Sequence, residues 1–310
     1  MVTVLFLIIG TVLLVKGADM LVDGGSGLAL KMGISQLVVG LTIVAFGTSA
    51  PELATSFIAA IKGSGDICFG NVVGSNIVNI SLILGFSALI RPVTVNRILI
   101  MRDIPFMIAI SAVTWVLGLI HYVRREGGIG LLLLFALYLF LCLKTPPSEV
   151  EVPVISRQKR FITLFFLILF GIIALGVGAS LFVDGARNIA RALGVSEAVI
   201  GLTIVGVGTS LPELVTSVIA ARKGETDISL GNIVGSNIFN ILFVLGTSAT
   251  VSPFIISSDR YLELVGLPFM MVLAVVLLPF SITGAILSRI EGLFFIIVTI
   301  VYFALADVMA

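Results

Sequence analysis

Residues 33–90 and 194–251 of this chain are one segment written twice. A constant offset of 161 aligns them without gaps, and 36 of the 58 positions are identical. The match continues weakly upstream, where LVDG at 21–24 faces FVDG at 182–185. A chain built this way has two equivalent halves, and their relation depends on how often the backbone crosses between equivalent points.

Composition identifies what it crosses. Hydrophobic residues make up 59% of the chain and charged residues only 11%, against roughly 25% charged in soluble domains. Such a chain is a polytopic membrane protein. A helix needs about 20 mostly apolar residues to span a bilayer. Breaks at charged or Gly/Pro-rich stretches then predict ten spans, near 2–30, 34–61, 67–90, 98–120, 129–143, 161–190, 196–221, 228–251, 262–280 and 287–308. The fifth is short. The opening MVTVLFLIIG has no basic flank and no small-residue cleavage site after it, so it reads as a retained first helix. Five crossings between equivalent points reverse the chain, so the two copies enter the membrane in opposite directions. The expected fold is an all-α polytopic membrane protein of about ten transmembrane helices in two inverted five-helix repeats, with broken helices at the midplane. Its parts are an N-terminal repeat at 1–143, a cytoplasmic linker at 144–160 (KTPPSEVEVPVISRQKR) and a C-terminal repeat at 161–310.

If alternate loops share a side, one side carries Lys31, Arg91, Arg97, Arg102, Lys144, Arg157, Lys159, Arg160, Arg222, Lys223 and Arg289. The other carries Lys62, Arg124, Arg125, Arg187, Arg191 and Arg260. The richer side is expected to be cytoplasmic, which places both termini outside the cell membrane. No basic patch is large enough to follow a nucleic-acid backbone, and no obligate protein partner is evident. Cys68 and Cys142, far apart in apolar runs, read as packing residues.

Each half carries two unusual segments. The first is GTSAPELATS at 47–56, repeated as GTSLPELVTS at 208–217. Gly47 and Gly208 permit bends, and Pro51 and Pro212 each remove a backbone donor, so a continuous helix is not expected there. The second is GN-x-VGSNI-x-N, at 70–79 and 231–240. Its density of Gly, Ser and Asn also suggests a broken helix, tolerated at membrane depth only where protein or a water-filled cavity satisfies the freed backbone.

Ser49 and Ser210, each three residues before a glutamate, fit a capping box. Yet Glu52 is the only charged residue between Lys31 and Lys62, and Glu213 the only one between Glu197 and Arg222. A carboxylate near the bilayer centre costs at least about 2.5–3.5 kcal/mol. A cap worth about 1 kcal/mol does not offset that. A cation does. Thr48 and Glu52 share a helical face, as do Thr209 and Glu213, Ser75 and Asn79, and Ser236 and Asn240. Hydroxyl, amide and carboxylate oxygens from both halves suit a hard cation, above all Ca²⁺. Zinc or copper would want histidine or thiolate ligands, and His121 sits with Arg124 and Arg125 in a polar loop.

The paired segments resemble the two alpha repeats of the calcium/cation antiporter superfamily, and most resemble its prokaryotic sodium/calcium exchanger branch. The resemblance implies antiport of Ca²⁺ against Na⁺ by alternating access, with the two repeat glutamates shared by the competing ions. No cofactor is implied, and the partners are small inorganic cations and the lipid bilayer. It makes Glu52 and Glu213 the principal Ca²⁺ ligands, with contacts from Thr48 and Thr209. Ser49, Ser210, Ser75 and Ser236 would help form flanking Na⁺ sites, and Asn79 and Asn240 would line the centre. The carbonyls of Ala45 and Gly206 would contribute at the bends, and the first and sixth helices would slide to expose the site alternately. Asn240 departs from the pattern, since exchangers of this family often have aspartate there. Two negative charges neutralise one Ca²⁺ and argue against K⁺ co-transport. With no cation between them, two carboxylates also invite proton competition.

Three other readings stand beside this one. A proton/calcium antiporter would use the same fold and site. A cation channel would use the same ligands, but inverted repeats around a midplane site fit alternating access better. An intramembrane hydrolase would need a nucleophile with a base, or a catalytic aspartate pair. Asp23 and Asp184 lie near predicted helix ends, and the single histidine is in a loop, so the chain is not expected to be an enzyme.

Overall fold

The computed structural model describes residues 2–144, 160–194, 206–257 and 261–309. The chain is nearly all helical, with α1 (Val2–Met32), α2 (Gln36–Thr48), α3 (Ala50–Ile61), α4 (Gly65–Ile90), α5 (Leu99–Ile120) and α6 (Arg125–Leu143) in the first half. The second half holds α7 (Phe161–Ala192), α8 (Leu211–Lys223), α9 (Thr226–Val251), α10 (Leu262–Ile282) and α11 (Arg289–Met309). Seven helices among the described residues are long and apolar enough to cross a membrane, or eight if α2 and α3, bent by 51°, form one span. The expected seventh span falls partly on 196–205, and the linker mostly on 145–159, both outside the described residues, as are Arg157, Lys159 and Arg260.

Sequence punctuation sets these boundaries. Gly33, Gly63, Gly194 and Gly224 all take positive φ just past a helix end, a conformation that costs glycine little. Gly33 and Gly63 have their counterparts in Gly194 and Gly224, 161 residues on. The fifth span is not short: α6 begins at Arg125, because Gly127, Gly128 and Gly130 are helical rather than loop residues. Gly128 is where α6 comes against the backbone of Gly246 and Thr250 on α9.

The chain is not purely α. Val93–Thr94 pairs antiparallel with Ile286–Leu287, and Tyr122–Val123 pairs with Phe254–Ile255. Each ribbon takes one strand from each half. Thr94 also meets Thr226 at 2.6 Å, and Asn96 donates to Asp227 at 3.4 Å. At the other end, the Ser257 backbone N–H donates to Asp66 at 2.6 Å. The loops therefore gather at two opposite ends of the bundle, alternating as the chain runs.

The helices α4 and α9 form the centre, but unequally. Ile228 on α9 is fully buried, whereas its equivalent on α4, Ile67, is 58% exposed. The helices α1 and α7 pack antiparallel along their length through two glycine rows spaced by seven, Gly10, Gly17 and Gly24 against Gly171, Gly178 and Gly185. A Cβ on Gly17 would lie 2.9 Å from the Gly171 carbonyl and from the Leu175 amide, and one on Gly178 would lie 2.9 Å from the Gly10 carbonyl. Small residues at such positions let two backbones approach within a membrane.

Candidate ion-binding site

The local fold at each glutamate follows from Ser-x-Pro-Glu. Pro51 and Pro212 occupy the first turns of α3 and α8, where a missing N–H costs nothing. This starts a new helix and turns the chain by 51° between α2 and α3. Ser49 and Ser210 stand at the N-cap positions, yet neither side chain caps its own helix. The capping box does not form. Instead Ser49 Oγ donates to Glu213 Oε1 at 2.7 Å, and Ser210 Oγ donates to Glu52 Oε1 at 3.1 Å. Each carboxylate is held by the other half, and both glutamates are 1% exposed.

The second motif departs from expectation. Neither α4 nor α9 is broken there. Each runs through as a continuous helix with a widened π turn beginning at an asparagine, Asn79–Ile83 in α4 and Asn240–Leu245 in α9. The motif contains no proline, and its asparagines bond across to the other half rather than competing with their own backbone. Asn79 Nδ2 donates to Asn237 Oδ1 at 2.9 Å, and Asn240 Nδ2 donates to Asn76 Oδ1 at 3.1 Å. Asn76 Nδ2 donates to the Asn237 carbonyl at 3.3 Å, and Asn237 Nδ2 returns to the Asn76 carbonyl at 3.5 Å. Such π turns often mark functional positions in helices.

What these bonds leave over is informative. Glu52 Oε2, Glu213 Oε2, Ser75 Oγ, Ser236 Oγ, Asn79 Oδ1 and Asn240 Oδ1 are all buried without a hydrogen-bond partner. They form three pairs related by the 161-residue offset. A buried polar atom left unpaired costs about 1–3 kcal/mol, and a cation is a ligand all six could share. The donor set is all oxygen, with two carboxylates. Among the described residues no group of three or more His, Cys, Asp or Glu is placed to hold a metal.

Not every expected residue is equally placed. Thr48 Oγ1 donates to Asn232 Oδ1 at 3.0 Å, while its counterpart Thr209 has no partner and lines a cavity of about 380 Å³ with Gly206, Asn71, Gly70 and Gly74. The Ala45 carbonyl is not free, because it accepts from the Ser49 amide at 3.0 Å and shares the Thr48 hydroxyl proton with Asn232, at 3.3 Å from Thr48 Oγ1. His121 is partly exposed at the end of α5, with Nε2 3.6 Å from Glu263. Cys68 and Cys142 are free and buried.

Sequence reasoning passed over the residues that brace the site. Asn71 Nδ2 donates to the Glu52 carbonyl and to Ser56 Oγ, at 3.3 and 2.9 Å. Asn232 Nδ2 does the same for the Glu213 carbonyl and Ser217 Oγ, at 3.4 and 2.9 Å. These asparagines and serines, with Asn76 and Asn237, all lie within the repeated motifs. Their identity in both copies was the available signal.

A family model described as sodium/calcium exchanger protein matches residues 2–144 and 163–306. The chain belongs to the sodium/calcium exchanger family. The sodium/calcium exchanger MaX1 of Methanosarcina acetivorans is 35% identical, with 94% of this chain and 95% of that protein covered. The inner membrane protein YrbG of Escherichia coli is 38% identical over 80% of this chain and 79% of its own. Among solved structures, the sodium-calcium exchanger NCX_Mj soaked with Na⁺ and Ca²⁺ superimposes with a TM-score of 0.84 at 32% identity, covering 99% of this chain and 98% of that one. As an exchanger-family protein with this fold, the chain is a multi-pass membrane transporter of the cation/Ca²⁺ antiporter type.

Proposed function

We propose that this exchanger moves Ca²⁺ against Na⁺ across the cell membrane, and that Glu52 and Glu213 are shared by the two ions in turn. The observation that carries this reading is the crossed pairing of Ser49 with Glu213 and Ser210 with Glu52, together with the six repeat-related buried oxygens without partners, two of which are the glutamates' own Oε2. Ca²⁺ takes six to eight oxygens in flexible geometry. Two carboxylates neutralise it with hydroxyl and amide oxygens completing the shell. Ser75, Ser236, Asn79 and Asn240 supply those neutral oxygens, and Ser49, Ser210, Thr48 and Thr209 flank them. Gly206 contributes its carbonyl beside Thr209, whereas Ala45 contributes only once its carbonyl is released.

The ten-span, inverted arrangement is part of the proposal. Antiparallel packing of the equivalent helices α1 and α7, and the gathering of alternate loops at opposite ends, support it. With the Lys/Arg-rich end cytoplasmic, both termini lie outside. The open cavities beside Thr209 then face outward, while the equivalent side of α9 is closed beneath α2. Binding lowers the electrostatic cost of closing the site, so crossing follows occupancy and the two ions are coupled through it.

The test is uptake of radioactive Ca²⁺ into proteoliposomes, with an outward Na⁺ gradient compared with an outward H⁺ gradient at matched membrane potential. Uptake driven by Na⁺ and lost in Glu52→Gln is the expected result. Uptake driven only by H⁺ would keep the site and reassign the coupling ion.

A further inference from the structure

The α1–α7 pair is held asymmetrically. On α1, Asp19 and Asp23 both reach Lys223 at the end of α8, with Oδ1 to Nζ distances of 2.5 and 2.6 Å. The face behind them is closed: Ala18, Leu21 and Val22 are fully buried in an apolar cluster to which α8 contributes Val215, Ile219 and Ala220. The repeat supplies the same parts at the opposite end. Asp23 corresponds to Asp184 on α7, and Lys223 corresponds to Lys62 at the end of α3. There the parts are separate. Asp184 and Lys62 are both exposed, and neither makes a hydrogen bond or ion pair with a described residue. Asp184 and Ser180 instead border a cavity of about 180 Å³ that reaches Pro51 and Thr209, directly beside the ion site.

We propose that Asp23–Lys223 and Asp184–Lys62 are the two alternative latches of one moving element, closed in turn as the α1–α7 pair shifts. Close backbone contact along the glycine rows makes the pair move as a unit, so seating α7 on α3 lifts α1 from α8. One bridge then forms as the other breaks. The latches are unequal, because Asp19 has Ser180 as its counterpart, which leaves the second latch a single carboxylate. The latch closed in this structure, with two carboxylates on one lysine, is therefore the stronger of the two. The inference rests on the antiporter reading only in needing the pair to move. Among the described residues the remaining buried acid, Asp103, is engaged by Arg102 and Tyr138.

The experiment uses the full-length protein in detergent without Na⁺ or Ca²⁺, and Ser180→Cys as a reporter of the cavity. The native cysteines are buried, so a polar maleimide reads the new thiol. Lys223→Met is expected to slow labelling about two- to five-fold, the range a part-exposed ion pair supports. Adding Lys62→Met in the same chain is expected to restore the rate, a recovery that general damage does not produce. An unchanged rate in Lys223→Met, or no recovery in the double variant, overturns the latch. Na⁺-driven Ca²⁺ uptake on the same proteins separates the two claims. Intact uptake without the labelling shift sinks the latch alone, and the shift without uptake sinks the ion assignment alone.

Discussion

Ser49 Oγ lies 2.7 Å from Glu213 Oε1, so a hydroxyl in the first copy of the repeat donates to the carboxylate of the second. Ser210 returns the bond to Glu52. A hydrogen bond to a charged group is worth about 1.5–3 kcal/mol, and about 1.4 kcal/mol is tenfold in affinity. Ser49→Ala and Ser210→Ala are each expected to change cation affinity about tenfold or more, and by similar amounts. Isothermal titration with Ca²⁺ and with Na⁺ checks this; a large effect from one serine alone would contradict the reciprocity.

Glu52→Gln and Glu213→Gln are each expected to abolish Ca²⁺ transport while leaving a folded protein. An uncompensated charge is removed from the bilayer, a change worth about 2.5–3.5 kcal/mol on insertion scales. The thermal midpoint of the ion-free variants should therefore equal or exceed that of the parent. A variant that unfolds would show that the glutamates hold the fold rather than the ion.

Asn76 accepts from Asn240 and donates to the Asn237 carbonyl. Asn76→Leu strands the buried Asn240 side-chain amide, at about 1–3 kcal/mol, and takes a second donor from the Asn237 carbonyl, which keeps its bond from the Asn240 backbone N–H. A fall in thermal stability is expected in ion-free protein as well as loaded protein, measured by unfolding with and without Ca²⁺.

Gly17→Val and Gly171→Val place a Cβ against backbone atoms of the facing helix, which cannot yield as a side chain would. Both are expected to abolish a monodisperse product in size-exclusion chromatography. Gly176→Ala on the same helix meets nothing within 4 Å and should behave as the parent.

Glu225, in the turn between α8 and α9, accepts from Ser26 Oγ at 3.1 Å. Burial raises its carboxyl above the ordinary range, and the bonds from Ser26 and Gln36 and the charge of Lys223 only partly oppose this. A raised carboxylate disfavours the fold when ionised, so its stability penalty grows as pH climbs through the folded value and vanishes below the unfolded one. Glu225→Gln keeps the acceptor and should raise the thermal midpoint at neutral pH, with the gain closing as pH falls through the carboxylate range.

Much of this was legible because duplication and hydropathy act over long stretches. The glutamates stood out as lone charges in apolar runs, and the prolines located the bends. The continuity of α4 and α9 was not legible, because the fate of Asn76 and Asn79 depends on partners about 160 residues away. The extent of α6 was obscured by Gly127, Gly128 and Gly130, which suggest loop, although all three are helical and Gly128 permits close packing on α9. The crossed destination of Ser49 was hidden for a related reason: Ser-x-x-Glu has a sufficient local explanation, and only the assembled halves offer a better one.

The crossed bonds give the two copies a shared fate. Glu213 takes its hydroxyl donor from the first half and Glu52 takes its donor from the second, so neither half alone contains both partners of either bond. A substitution at Ser49 edits the surroundings of a carboxylate encoded 164 residues later, and its effect is felt in a part of the molecule its own segment never forms. Two stretches coupled in this way cannot drift apart independently, and a gene encoding either one would encode carboxylates and hydroxyls without the partners they meet here.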